Sequence, residues 1–81
     1  MKIVVYGPGC ARCRETERVV RHVVEQLGIA ADVQKVSDYE AMAAAGVLAT
    51  PAVSIDGVMK LSGRIPKSDE VHVWLTSAKR G

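Results

Sequence analysis

Phenylalanine is absent from this 81-residue chain, Trp74 is its only tryptophan, and Cys10 and Cys13 are its only cysteines. Without large rings the core must be assembled from Val, Ala, Leu and Ile, which supply most of the 48% hydrophobic content. A chain this short buries only roughly 60% of its unfolded surface, so that content suits one small core in one domain spanning residues 1–81. Long apolar runs are missing too, and nothing approaches the ~20 residues needed to span a bilayer. The N-terminus carries one lysine before a short apolar run, Ile3-Val4-Val5-Tyr6, too brief for the core of a signal peptide. Both absences speak against a membrane and for a cytoplasmic location. Charge of one sign is scarce as well: eleven basic against nine acidic residues leave +2. No basic stripe interleaved with aromatics marks a nucleic-acid binder. Structural disulfides are rare in the cytoplasm, so two cysteines there read as redox-active or metal-binding rather than as a staple.

The two cysteines sit in Gly7-Pro8-Gly9-Cys10-Ala11-Arg12-Cys13. This motif falls where the strand-like run Lys2-Ile3-Val4-Val5-Tyr6 ends and an amphipathic helix begins. A sulfur at the first turn of a helix faces unpaired backbone N–H groups and the positive end of the helix dipole. Both favour the thiolate, which is the reactive form. A second sulfur one turn along can attack a mixed disulfide formed at the first. Arg12 adds positive charge beside the pair and favours the Cys10 thiolate further. The Gly7-Pro8-Gly9 run reads as a tight turn that frees the helix terminus, not as a phosphate cradle.

The remaining punctuation sets the element order. Lys2 to Tyr6 is continuously apolar after Lys2, as in a strand buried on both faces. Thr16, Val19, Val20, Val23, Val24 and Leu27 form one face of a helix from about Ala11 to Leu27, which Gly28 stops. Arg14, Glu17, Arg18, Arg21 and Glu25 occupy the other face, largely balanced in charge, with the arginines able to steer an acidic partner. Residues 29–36 read as a second strand, parallel to the first because a helix joins them. Ser37-Asp38-Tyr39-Glu40 has the form of a capping box opening a short helix that ends at Gly46. Residues 52–55 and 58–61 flank Asp56-Gly57, a type I′ hairpin signal. A last helix begins near Pro66 or Ser68 with Val71, Trp74, Leu75 and Ala78 on one face. The order βαβαββα implies an α/β fold, a four-stranded mixed sheet with three flanking helices.

Helical projection separates the two sulfurs. At 100° per residue, Cys13 lies about 50° from the centre of the apolar face and Cys10 about 110° away. Cys10 is therefore expected to be exposed and nucleophilic, and Cys13 half-buried.

In this order, Cys10-x-x-Cys13 after strand one, Thr50-Pro51 before strand three and Ser62-Gly63-Arg64-Ile65-Pro66 before the last helix resemble the thioredoxin-like superfamily. The chain is most similar to the small archaeal and bacterial thioredoxin/glutaredoxin-like proteins called redox-active disulfide proteins, along essentially its whole length. That resemblance implies a thiol–disulfide oxidoreductase that needs no bound cofactor. It implies Cys10 as the attacking cysteine, Cys13 as the resolving one, and Pro51 as a cis-proline facing them. Thr50 would offer backbone groups to a substrate's extended strand, with Gly9, Arg12 and Tyr6 completing the substrate-binding set. Implied partners are protein or small-molecule disulfides and a thioredoxin-reductase-like or small-thiol electron donor. The chain departs from the thioredoxin Trp-Cys-Gly-Pro-Cys signature, and the buried acid of strand one would fall near Val4. Tyr6, four residues before Cys10, is closer to the glutaredoxin pattern, whereas the glutaredoxin Gly-Gly segment after strand four is reduced to Ser62-Gly63-Arg64.

Two other readings use the same residues. Copper(I) chaperones also place Cys-x-x-Cys after their first strand, and thiolates suit soft metals, but their βαββαβ order differs from this one. A closed zinc site needs four ligands. His22 projects about 180° from Cys13 and His72 belongs to another helix, so both read as solvated. Metal handling by the cysteine pair, with copper(I), zinc or an iron–sulfur cluster shared between chains, is the alternative to exchange. The third reading is a non-catalytic groove beside Pro51 that binds an extended peptide.

Overall fold

Three consecutive β-branched residues, Ile3-Val4-Val5, place the first strand inside the sheet, where both faces are covered. The computed structural model describes residues 1–9 and 11–80, with side chains through residue 77. Its elements are β1 (Lys2–Tyr6), α1 (Ala11–Leu27), β2 (Asp32–Val36), α2 (Tyr39–Ala44), β3 (Ala52–Ile55), β4 (Val58–Ser62) and α3 (Ser68–Arg80). The sheet order is β2-β1-β3-β4. β1 and β2 run parallel, with Lys2 opposite Asp32 and Tyr6 opposite Val36. β3 is antiparallel to β1 and β4 antiparallel to β3. This is the expected four-stranded mixed sheet with three helices.

Alternation along the strands divides the sheet. Ile3 and Val5 of β1 and Val53 and Ile55 of β3 join Val20 and Val23 of α1, Val71 and Leu75 of α3, and Leu61 of β4 in one core. Val4 and Ser54, paired across β1 and β3, point the other way and are also buried. Trp74 sits partly buried at the core's edge, and Met42 is the buried side chain of α2. The expected place of Ala78 on the apolar face of α3 lies outside the described side chains.

Three boundaries differ from the sequence reading. β2 begins at Asp32 rather than Ile29. A strand lasts as long as its neighbour, and β1, starting at Lys2, offers no partner beyond Asp32. Ile29 and Ala31 pack against the core from outside the sheet. The cap of α2 is Asp38, whose side chain accepts from the Glu40 N–H at 3.2 Å, not Ser37. An aspartate that close to the first turn supplies a charged acceptor. Gly46 does end α2: its N–H reaches Ala43 and that of Val47 reaches Met42, a Schellman closure that uses φ of +80° at Gly46. Finally, β4 continues one residue further, to Ser62. The Asp56-Gly57 hairpin forms as expected, both residues taking positive φ.

Candidate active site

One register row gathers the site. Tyr6 at the end of β1 faces Ala52 at the start of β3, and Ala52 faces Ser62 at the end of β4. The chain therefore leaves β1 into the cysteine turn, enters β3 from Pro51 and leaves β4 into Gly63 along the same edge. Antiparallel pairing alone brings together segments some fifty residues apart in sequence.

The cysteine turn starts from a fixed point. Gly7 is buried, and its N–H donates to the Val36 carbonyl at 2.9 Å, continuing the β1–β2 ladder by one step. Gly9 follows with φ of +88°, a left-handed conformation suited to glycine. α1 then begins at Ala11, directly after Cys10 in sequence. The expected exposure of Cys10 lies outside the described residues. Cys13, one turn into α1, has no exposed surface, where the projection implied half-burial. The preceding turn lies against it: a Cβ placed on Gly7 would lie 2.1 Å from the Cys13 Sγ. Thr16, also fully buried, donates its hydroxyl to the Arg12 carbonyl at 2.9 Å and so satisfies itself within the helix.

Opposite the turn, the Thr50–Pro51 peptide bond is cis, as the resemblance implies, and Pro51 is fully buried. The Pro51 carbonyl accepts from the Gly63 N–H at 2.9 Å. The Gly63 carbonyl in turn accepts from the exposed Arg12 guanidinium at 3.2 Å. A clasp through one glycine thus joins the cysteine turn, the proline loop and the end of β4. Gly63 has φ of +91°, and a Cβ there would touch that of Ala49 at 3.4 Å. The segment beyond is braced by Arg64, whose two terminal nitrogens reach the Glu70 carboxylate at 2.7 and 2.5 Å. Glu70 also accepts from the Lys67 N–H at 3.0 Å. The Arg64 hydrogen bonds, with help from that backbone donor, hold the Glu70 carboxyl well below its usual range, at about 2.

The expected substrate-binding residues divide into groups. Arg12 and Pro51 meet through Gly63, and half-buried Tyr6 stands on the same register row. Half-buried Thr50 turns toward a groove of about 320 Å³ between α2 and the segment leading to Pro51, lined by Tyr39, Met42, Val47 and Leu48 among others. Gly9 lies on the other side, where the Lys35 ammonium comes within 3.9 Å of its missing Cβ. Sequence reasoning passed over Lys35, whose signal is a lone lysine near the end of a strand that points at the cysteine turn. Gly7 was legible only as part of a tight turn, and Gly63 only as part of the segment leading to the last helix. Arg18 and Arg21, considered for steering, are held by Glu15 and Glu17. His22 and His72 are exposed. No described carboxylate is buried, and Val4 occupies the place of the strand-one acid.

Compared with known families, residues 1–76 match the thioredoxin domain. The chain belongs to the thioredoxin family. It is 38% identical over 76 residues to a thioredoxin of Methanothermobacter thermautotrophicus, covering 94% of this chain and 99% of that one. It is also 38% identical over 79 residues to a thioredoxin of Methanocaldococcus jannaschii, covering 98% of this chain and 91% of the relative. Membership of the thioredoxin family makes the chain a thiol–disulfide oxidoreductase. Among the described residues no helix is long and apolar enough to cross a membrane.

Proposed function

We propose that the chain exchanges electrons with protein or small-molecule disulfides through Cys10 and Cys13, in the cytoplasm and without a bound cofactor. The Cys10 thiolate attacks a substrate disulfide, forming a mixed disulfide and releasing one substrate sulfur as a thiolate. The Cys13 thiolate then attacks the Cys10 sulfur, closing an intramolecular disulfide and releasing the second substrate sulfur. The dithiol has lost two electrons and two protons, and a reductase or small thiol restores it. The observation that carries this reading is the placement of Cys13. It is sealed in the first turn of α1 beside Gly7, while its neighbour Arg12 is exposed and clasped to the Pro51 loop.

The division of labour follows from access and charge. A fully buried sulfur cannot meet a protein disulfide first, so Cys10 takes the attacking role. The start of α1 and Arg12 favour its thiolate. Among the described residues no carboxylate is buried, and the Cys13 proton leaves with the departing substrate sulfur or to water. Thr50 offers backbone groups to an extended substrate beside the apolar groove, with Pro51, Gly9 and Tyr6 around it.

Insulin reduction tests the roles. Cys10→Ser is expected to abolish turnover, and Cys13→Ser to halt with a mixed disulfide detectable by mass. Activity that survived in Cys10→Ser and vanished in Cys13→Ser would reverse the assignment. Intact mass after mild oxidation separates exchange from metal handling. Loss of two hydrogen masses supports exchange, whereas retained copper, zinc or iron supports the metal reading.

A further inference from the structure

We infer that Gly7 is a positioning residue for the resolving step, a socket that sets where the Cys13 sulfur rests. This rests on the roles of Cys10 and Cys13 proposed above. A Cβ at residue 7 would lie 2.1 Å from the Cys13 Sγ and 2.7 Å from its Cβ, while the Cys13 Cα stays 3.9 Å away. Carbon and sulfur atoms in contact stand roughly 3.5–4 Å apart, so the sulfur occupies the volume any other residue would need. Unlike five other glycines, Gly7 does not have positive φ. Its backbone conformation is open to any residue, and what the position excludes is a side chain.

Neither partner is free to give way. The Gly7 N–H is bonded to Val36 at the end of the β1–β2 ladder. Cys13 is carried by α1, whose Thr16, Val20 and Val23 are all fully buried. The Cys13 Cα is already at ordinary contact distance, so a methyl group at residue 7 must be absorbed by displacement of the Cys13 side chain. In the resolving step the Cys13–Cys10 sulfur bond forms as the bond from Cys10 to substrate breaks, and the substrate leaves as a thiolate. That displacement depends on where the Cys13 sulfur starts. The first attack, by Cys10, does not.

Dithiobis-nitrobenzoate separates the two events, because each releases one coloured thiolate. In wild type, the first release reports attack by Cys10 and the second reports resolution by Cys13. Gly7→Ala is expected to keep the first release within about twofold of wild type and slow the second roughly tenfold or more, as small misplacements of reacting groups do. Both releases at wild-type rates, or both slowed alike, would overturn the socket. A stability arm covers the case in which Gly7→Ala fails to fold. Cys13→Gly removes the atoms that collide, so Gly7→Ala/Cys13→Gly should melt within about 3 °C of Cys13→Gly alone, about half a kcal/mol or less for a chain this size. If Gly7→Ala costs as much in that background as in wild type, the overlap is not the reason and the inference falls. A wild type that releases a single equivalent would instead refute the resolving role of Cys13, leaving the stability arm to decide whether the socket exists.

Discussion

At the scale of single residues, Arg12 combines a charge beside the cysteines with a tie to the Gly63 carbonyl, and substitution can separate the two. Hydrogen bonds of this kind contribute about 0.5–1.5 kcal/mol net, and this one is exposed. Arg12→Ala is therefore expected to lower the melting temperature by no more than about 5 °C. The larger consequence is chemical: losing the cation should slow iodoacetamide labelling of Cys10 at neutral pH and low salt by roughly threefold. Arg12→Lys keeps the charge and should restore labelling, and in wild type high salt should erase most of the advantage. Labelling that is equally fast in Arg12→Ala would show that the helix start alone activates the sulfur. Cys13 carries a different lesson. Projection onto a helical wheel counts only the helix's own faces, and on that basis Cys13 appears half-exposed. A residue without a side chain, six positions earlier, lies against the sulfur, and no periodicity reveals that approach.

At the scale of elements, helix starts depend on which acceptor arrives first. Ser37-x-x-Glu40 satisfies the capping-box pattern, yet Asp38 takes the cap because its carboxylate reaches the Glu40 N–H. The reciprocal half of such a box appears instead at α3, where Glu70 folds back onto the Lys67 N–H. That contact and the Arg64 fork were not legible in advance, since both depend on the path of the segment after Gly63. They also set a pH dependence. The Glu70 carboxyl sits at about 2 against an ordinary 4.5. Its folded value is the lower one, so the stability it contributes is present above 4.5 and is lost as pH falls from 4.5 toward 2. Glu70→Gln should flatten the fall of the urea midpoint across that window while leaving the neutral-pH redox rates within about twofold, because Glu70 bonds Arg64 and Lys67, outside the cysteine turn. An acid limb as steep in the variant as in wild type would mean that Glu70 is not the group responsible. Strand ends obey a different limit. The β-branched and apolar residues of β1 located it correctly, whereas β2 was overextended because propensity is blind to where the neighbouring strand stops.

At the scale of the whole molecule, the order of elements was readable because each connection restricts the next. A helix between β1 and β2 demands parallel strands, and Asp56-Gly57 demands an antiparallel hairpin. Convergence of Gly7, Pro51 and Gly63 on one edge then follows from the row Tyr6–Ala52–Ser62. The clasp and the socket did not follow, because they depend on side-chain reach and on a missing Cβ rather than on topology. The same sheet carries part of its core at the end away from that edge. Ile3 has no exposed surface and pairs with Ile55 at the far end of β1, three residues and ~10 Å from Tyr6. At about 0.05–0.15 kcal/mol per residue, the 81 residues hold a total stability of roughly 4–12 kcal/mol. Ile3→Ala should remove about 2–5 kcal/mol of that by leaving a cavity in the core it shares with Val20, Val23 and Leu75. Urea unfolding would register the loss as a lower midpoint with an unchanged slope. Both nitrobenzoate releases should stay at wild-type rates under conditions where the variant is folded, because the row that positions the cysteine turn is intact. Slowed releases in folded Ile3→Ala would show instead that core packing and sulfur placement are coupled along the length of β1.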